Sequence, residues 1–275
     1  MEQFLLFFEQ MPSWQKVTWV FTCLSFAFVL EAIVPLAKME YKKLRHLGVN
    51  LFFLSIVFVV NFIFSKLTVK VTAWTGSEKI GLLHMIDLPI WVELLIAFLV
   101  LDLVAQYFVH FLLHKVTFMW KLHMVHHSDT HVDASTGTRH HPFDYVFREI
   151  FALAAIVFTG APLAFYLFYR ISTVFFTYMS HANISLPLWL DKGISFVFIS
   201  PNMHKFHHHV ERPWTDSNYG NVFSIWDRIF GTYVYGDPKQ IEYGLDVVDN
   251  SRDEDIMYQL TLPINKDIKT DRGFF

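Results

Sequence analysis

The sequence predicts an all-α integral membrane protein of about four transmembrane helices, with a histidine-rich helical cap on the cytoplasmic side. Three observations carry that expectation. The 275 residues are 53% hydrophobic and only 17% charged, against about 25% charged residues in ordinary soluble domains. Several apolar runs approach the roughly 20 residues that a bilayer-spanning helix requires. Fifteen histidines are present, and eight of them fall into three groups with helical spacing. The small net charge of −3, with no long basic block, argues against nucleic acid as a partner. Cys23 is the sole cysteine, which excludes intramolecular disulfides, CxxC zinc sites and thiolate-held iron–sulfur clusters within one chain.

Taken in order, the N-terminal MEQFLLFFEQM lacks a basic n-region and a small-residue cleavage site, so no cleaved signal peptide is expected. A first span runs from about Trp14 to Leu36 and stops at Pro35 and a charged tract. Lys38, Lys42, Lys43 and Arg45 form the densest basic loop beside any apolar run. The positive-inside rule makes that loop cytoplasmic and the N-terminus external. A second span covers about Val49 to Phe64, or Leu47 to Leu67 with its polar flanks, and returns the chain to an external loop from Ser65 to Asp87. A third starts near Pro89, a favoured first-turn residue, and delivers His110 and His114 at its cytoplasmic end. From Phe147 to Tyr178 the sequence reads as an apolar helical hairpin, turning at Gly160, Ala161 and Pro162. The segment from Val222 to Tyr235 is a short amphipathic or strand-like element, aromatic enough to lie at the membrane interface or to cap a site. These boundaries divide the chain into an N-terminal transmembrane region (1–100), a catalytic region (101–236) and a polar C-terminal tail (237–275).

The histidines carry the chemistry. His110 and His114 are four apart, about 40° on a helix. His123, His126 and His127 repeat at i, i+3 and i+4, as do His204, His207 and His208, within roughly a 100° arc of one face. Imidazole is the commonest metal ligand near neutral pH. Eight such ligands exceed what one octahedral ion can use, so two metals are expected. HExxH is absent, which disfavours the common zinc-protease helix, and so is the ExxH pair of soluble di-iron carboxylate bundles. A haem would need one or two axial histidines and leave the rest unexplained. His181 is delivered by the hairpin to the same plane and is expected as a ninth ligand. His141, before Pro142, is read as a loop ligand or a hydrogen-bond donor to one, with a purely structural role as the alternative. Asp102 is ionisable inside an apolar span. It is expected to bond a ligand imidazole's free N–H, or else to be a buried partner for Arg170 or another span. Asp216 and Asp227 are read as further carboxylates for that work or as loop and cap residues, His46 and His84 as interfacial, and His209 as facing away from the metals.

HFLLH (110–114), HMVHH (123–127) and HKFHH (204–208) resemble the three histidine boxes of the fatty acid hydroxylase and sterol desaturase superfamily. TRHHPFD, SHANISLP and DSNYGNVFSIWDRIFGTY resemble its connecting segments. The likeness covers about Asp102 to Gly236. It implies a di-iron, O2-dependent hydroxylase or desaturase of a membrane lipid, such as a fatty acyl chain, sterol or alkylglycerol, with zinc able to substitute for iron. Ligand roles then fall on His110, His114, His123, His126, His127, His204, His207 and His208, and on His181. Some such hydroxylases carry a histidine four residues before the one matching His181, where this chain has Thr177. Electrons would come from an external cytochrome b5- or ferredoxin-type donor with its reductase, since no flavin, haem or iron–sulfur motif is visible. The lack of a fused cytochrome b5 domain and of a C-terminal dilysine signal favours a bacterial inner membrane over the endoplasmic reticulum. Two rival readings of the histidines are a membrane dizinc hydrolase using metal-activated water, and a non-enzymatic metal-handling protein, which would place polar ligands along a path through the bilayer.

Overall fold

The computed structural model describes residues 1–270, so the last five residues of the expected tail lie outside it. The apolar runs become helices: α1 (Glu2–Glu9), α2 (Ser13–Ile33), α3 (Lys43–Ser77), α4 (Ile90–Lys115), α5 (Thr117–His127), α6 (Pro142–Thr159) and α7 (Leu163–His181). Four short helices follow, α8 (Leu188–Ile194), α9 (Pro201–His207), α10 (Ile225–Ile229) and α11 (Ile256–Thr261). Among the described residues, three stretches are long and apolar enough to cross a membrane: Ser13–Ile33, Lys43–His84 and Ile90–Lys115. By that measure the hairpin α6–α7, with buried Asp144, Arg148 and Glu149, does not add a fourth.

The second span is longer than the sequence suggests. In place of a loop from Ser65, α3 continues to Ser77, 35 residues in all, or about 52 Å. Its polar residues are absorbed locally. Thr68, Thr72 and Thr75 hydroxyls donate back to the carbonyls of Phe64, Thr68 and Thr72, which satisfies them without leaving the helix.

Helix packing relies on small residues. Ala105 of α4, Ala152 and Ala155 of α6, and Tyr169 of α7 are buried in one cluster, since alanines let helix axes approach closely. The loop after α3 crosses the α6–α7 turn at two glycines. Gly81 has φ +110° and Gly160 φ +69°; a Cβ on Gly160 would sit 2.4 Å from the Ile80 carbonyl oxygen. Left-handed strain and backbone overlap add here. Gly160→Ala is expected to destabilise the protein by about 3 kcal/mol or more, read as a lowered thermal unfolding midpoint in detergent.

Buried polar contacts fasten the spans to the segments after α5 and α7. Glu31 of α2 accepts from the backbone N–H groups of Ala134 (2.7 Å) and Asn183 (2.9 Å). His46 of α3 is fully buried, not interfacial as its position suggests, and its Nε2 lies 2.9 Å from Asp129. His84 is exposed. The tail also contributes to the core: Leu245, Tyr258, Leu262 and Ile268 pack against Trp120, Met124 and Val125 of α5 and against Val49 and Phe53 of α3.

Candidate metal centre

A single residue sets the geometry of the first two histidine groups. Val116 is extended (φ −99°, ψ 118°) and breaks the helix between α4 and α5, so His110 and His114 face the histidines of α5 across a tight bend. Upstream, α4 widens into π-helical turns over Leu103–Phe108, a device often found at functional sites. Those wide turns end the simple stripe of four-residue steps from Asp102 to His114. The third group is held by α9, whose start is fixed by Pro201 and by Ser200, whose Oγ accepts from the Met203 N–H and donates to Asp191 (2.6 Å).

The chain brings nine histidines together in two adjoining groups. His110, His114, His123, His127 and His207 have ligand atoms all within 4.8 Å of one another; His126, His181, His204 and His208 meet the same criterion. Helical geometry explains the division. In each HxxHH the i, i+4 pair shares a face, while the residue between points across. The α5 pair, His123 and His127, enters the first group and His126 the second. On α9 the pair His204 and His208 enters the second group and His207 the first. The groups touch, with the His127 and His208 rings 4.7 Å apart.

Hydrogen bonds fix which nitrogen each ring presents. Nδ1–H donates to the Tyr219 carbonyl from His110 (2.8 Å), to the Ser217 carbonyl from His207 (2.7 Å) and to the Thr177 carbonyl from His181 (2.7 Å). His123 donates to Asp144 at 2.7 Å, and His114 Nδ1 lies 3.2 Å from Asp216. A carbonyl oxygen only accepts, so Nε2 of those neutral rings carries a bare lone pair. His110 Nε2 and His123 Nε2 nevertheless stand 3.0 Å apart. Two lone pairs at that distance repel unless a cation lies between them. The Nε2 atoms of His127, His207 and His208 are buried without a hydrogen-bond partner, a costly state for polar atoms unless they ligate. The donor set thus fits metal ions.

Electrostatics agree. Burial pushes His126, His127, His204, His207 and His208 well below the ordinary imidazole value, His123 to about 4 and His181 to about 3. The rings are therefore neutral at pH 7, the state a metal requires. Burial pushes Asp144 the other way, but Arg148 and the neighbouring His123 outweigh it and hold the carboxyl well below the usual range.

Other sequence candidates go elsewhere. His141 is not brought into either group: it caps α6, accepting from the Phe143 N–H, and its Nε2 lies 3.3 Å from the Leu260 carbonyl. Its neighbour His140 is nearer the centre, stacked on His126 at 4.8 Å and grouped with His123 and Asp144. Asp102 bonds neither a ligand imidazole nor Arg170. It accepts from the N–H groups of Val222 (3.3 Å) and Phe223 (3.2 Å) and from the Trp226 indole (3.0 Å). Asp227 holds the same loop by accepting from the N–H groups of Tyr219 (2.7 Å) and Gly220 (3.0 Å). Together they position the carbonyls that orient His110 and His207. Asp102→Ala would strand one buried donor, at about 1–3 kcal/mol, and two part-buried ones. A clearly lowered unfolding midpoint is expected, with weaker metal retention as the 217–223 loop loosens; both are measurable on the purified variant.

Asp144, His140 and the two loop carbonyls are the residues that sequence reasoning missed or underweighted. TRHHPFD contained the signal for the first two; backbone carbonyls leave none.

Comparison with known proteins agrees in direction. A model of the family described as fatty acid hydroxylase matches residues 94–232. Ornithine lipid hydroxylase OlsE of Rhizobium tropici is 28% identical over 127 residues, 46% of this chain and 38% of that protein. Alkylglycerol monooxygenase of Homo sapiens is 29% identical over 170 residues, 62% of this chain and 33% of its own length. Methylsterol monooxygenase 1-3 of Arabidopsis thaliana is 24% identical over 174 residues, 60% of this chain and 57% of that protein. The match thus covers less than two thirds of each relative. No solved structure matches the chain.

Proposed function

The chain belongs to the fatty acid hydroxylase family, and from that membership we propose that it is a membrane-bound, O2-dependent lipid hydroxylase whose nine clustered histidines hold two iron ions. The observation that carries the proposal is the apposed pair of His110 and His123 lone pairs, 3.0 Å apart inside a buried all-imidazole cluster. His110, His114, His123, His127 and His207 would hold one ion, and His126, His181, His204 and His208 the other. When bound, the pair supplies O2 reduction and an oxidant able to take hydrogen from an unactivated C–H bond. The balance is R–H + O2 + two electrons + two protons giving R–OH + H2O. The electrons come from an external cytochrome b5- or ferredoxin-type donor.

The chain's own residues prepare that chemistry. Tyr219, Ser217 and Thr177 carbonyls keep protons on Nδ1 of His110, His207 and His181, so every Nε2 is presented bare. Asp144 does the same for His123 and adds negative charge beside a ring that must stay neutral. A cavity of about 140 Å³ adjoins His110, His126, His181 and His204. Val20, Leu54, Val57, Phe58 and Val174, from α2, α3 and α7, form its apolar wall, so a lipid chain can lie against the histidine face with water excluded. The basic loop ahead of α3 supports a cytoplasmic site: His46 follows Arg45 directly and bonds Asp129, two residues beyond His127.

The test is aerobic turnover by iron-loaded protein with a chemical reductant and a panel of membrane lipids under labelled O2. Label in a new hydroxyl group supports the reading. Hydrolysis products formed without O2 or reductant would replace it with a dizinc hydrolase.

A further inference from the structure

The wall of the cavity facing away from α2 is polar, although it lies between helices that pack among membrane spans. Tyr145, Arg170, Asn61, Arg148, Thr177 and Asn221 all line it, together with those four histidines and His140. Its charges cancel. Arg170 pairs with Glu149 at 2.9 Å and Arg148 with Asp144 at 2.9 Å. Both carboxylates are buried, so neither guanidinium is left over for an anion, and a second anion here would be desolvated beside them.

Two polar ends remain unmatched. Arg170 Nη2 donates to Asn61 Oδ1 (2.9 Å) and to the Tyr145 hydroxyl (2.8 Å). A guanidinium can only donate, so it fixes the orientation of the Asn61 amide and turns Nδ2 toward Tyr145, at 3.3 Å. The Tyr145 oxygen therefore accepts twice, and its own proton has no acceptor among the described residues. On the opposite side Asn221 Nδ2 donates to Thr177 Oγ1 (2.9 Å), and Asn221 Oδ1 is buried without a partner. Were that amide turned over, its NH2 end would be the unmatched one. A buried polar atom such as Asn221 Oδ1 is normally paired, and Tyr145 is half-buried beside the same cavity.

We infer that Tyr145 and Asn221 form a hydrogen-bonding subsite for a neutral polar group of the lipid, such as a hydroxyl, ester or amide, and that oxidation occurs on carbons close to that group. This rests on the lipid-hydroxylase reading above. Tyr145, Asn221 and the histidine face line one cavity of about 140 Å³. Polar group and reacting carbon must therefore be near neighbours, with the tail running out along the apolar wall.

The experiment compares 1-O-hexadecylglycerol with palmitate on the metal-loaded wild type, Tyr145→Phe and Asn221→Leu. Binding is measured anaerobically without reductant, and product position by mass spectrometry after aerobic turnover. Wild type should favour the glycerol lipid and place the new oxygen on the carbons nearest the glycerol. Each variant should bind it about tenfold more weakly, the loss of one hydrogen bond, with metal content unchanged. Asn221→Leu decides the matter should Tyr145→Phe disturb Arg170. Equal use of palmitate, a mid-chain product, or unchanged binding in a metal-replete Asn221→Leu would overturn the subsite. If no lipid is oxidised yet the variants still bind tenfold more weakly, the subsite stands and only the oxygenase reading falls.

Discussion

His207→Ala and His204→Ala are each expected to leave about one metal ion per chain and to lower lipid turnover by at least about 100-fold. The two substitutions should act on different ions. His207 stands with His110, His114, His123 and His127, whereas His204 stands with His126, His181 and His208. Either variant keeps the remaining histidines of the other group, so loss of one ion should leave its neighbour bound. The prediction is sharper than general sensitivity, because residues only three apart on one short helix must separate by the ion they lose. Elemental analysis and single-turnover assays on matched preparations check it. A variant that keeps both ions and normal turnover would exclude its histidine from the site.

Asp144→Ala is expected to have the second-largest effect, through two routes that can be separated. It removes the acceptor that holds the His123 ring 2.7 Å away, a kind of loss that typically weakens metal binding about 10–100-fold. It also leaves Arg148, otherwise bonded at 2.9 Å, with only the Gln106 amide oxygen at 3.4 Å. Breaking a buried pair from one side costs about 3–5 kcal/mol. Replacing Arg148 by methionine as well removes the stranded charge. The double variant should therefore regain most of the unfolding midpoint while metal affinity stays low. Recovery of both together would show that Asp144 acts on the fold alone.

Local spacing made much of this legible in the sequence. HxxHH declares its own helix, and two such motifs with HxxxH and His181 account for all nine histidines that the structure brings together. Their partition was not legible, because it depends on how α5 and α9 face each other. Neither was the role of Asp102. Its place in an apolar span marked it as functional, but the π-helical turns after it re-aim the helix, and its partners are two backbone N–H groups and an indole 120 or more residues away. The length of α3 was hidden for a local reason: Lys66, Thr68 and Lys70 look like the end of a span, yet threonine hydroxyls bonded to their own helix let it continue. His46 looked interfacial because it follows a basic tract, and only the return of Asp129 from beyond α5 buries it.

The most direct measurement is the metal content of gently purified wild-type protein, expressed with iron supplied. Close to two irons per chain is expected from nine neutral imidazoles in two touching groups. Two zincs that persist despite the iron, or well-folded protein with no stoichiometric metal, would contradict a di-iron centre.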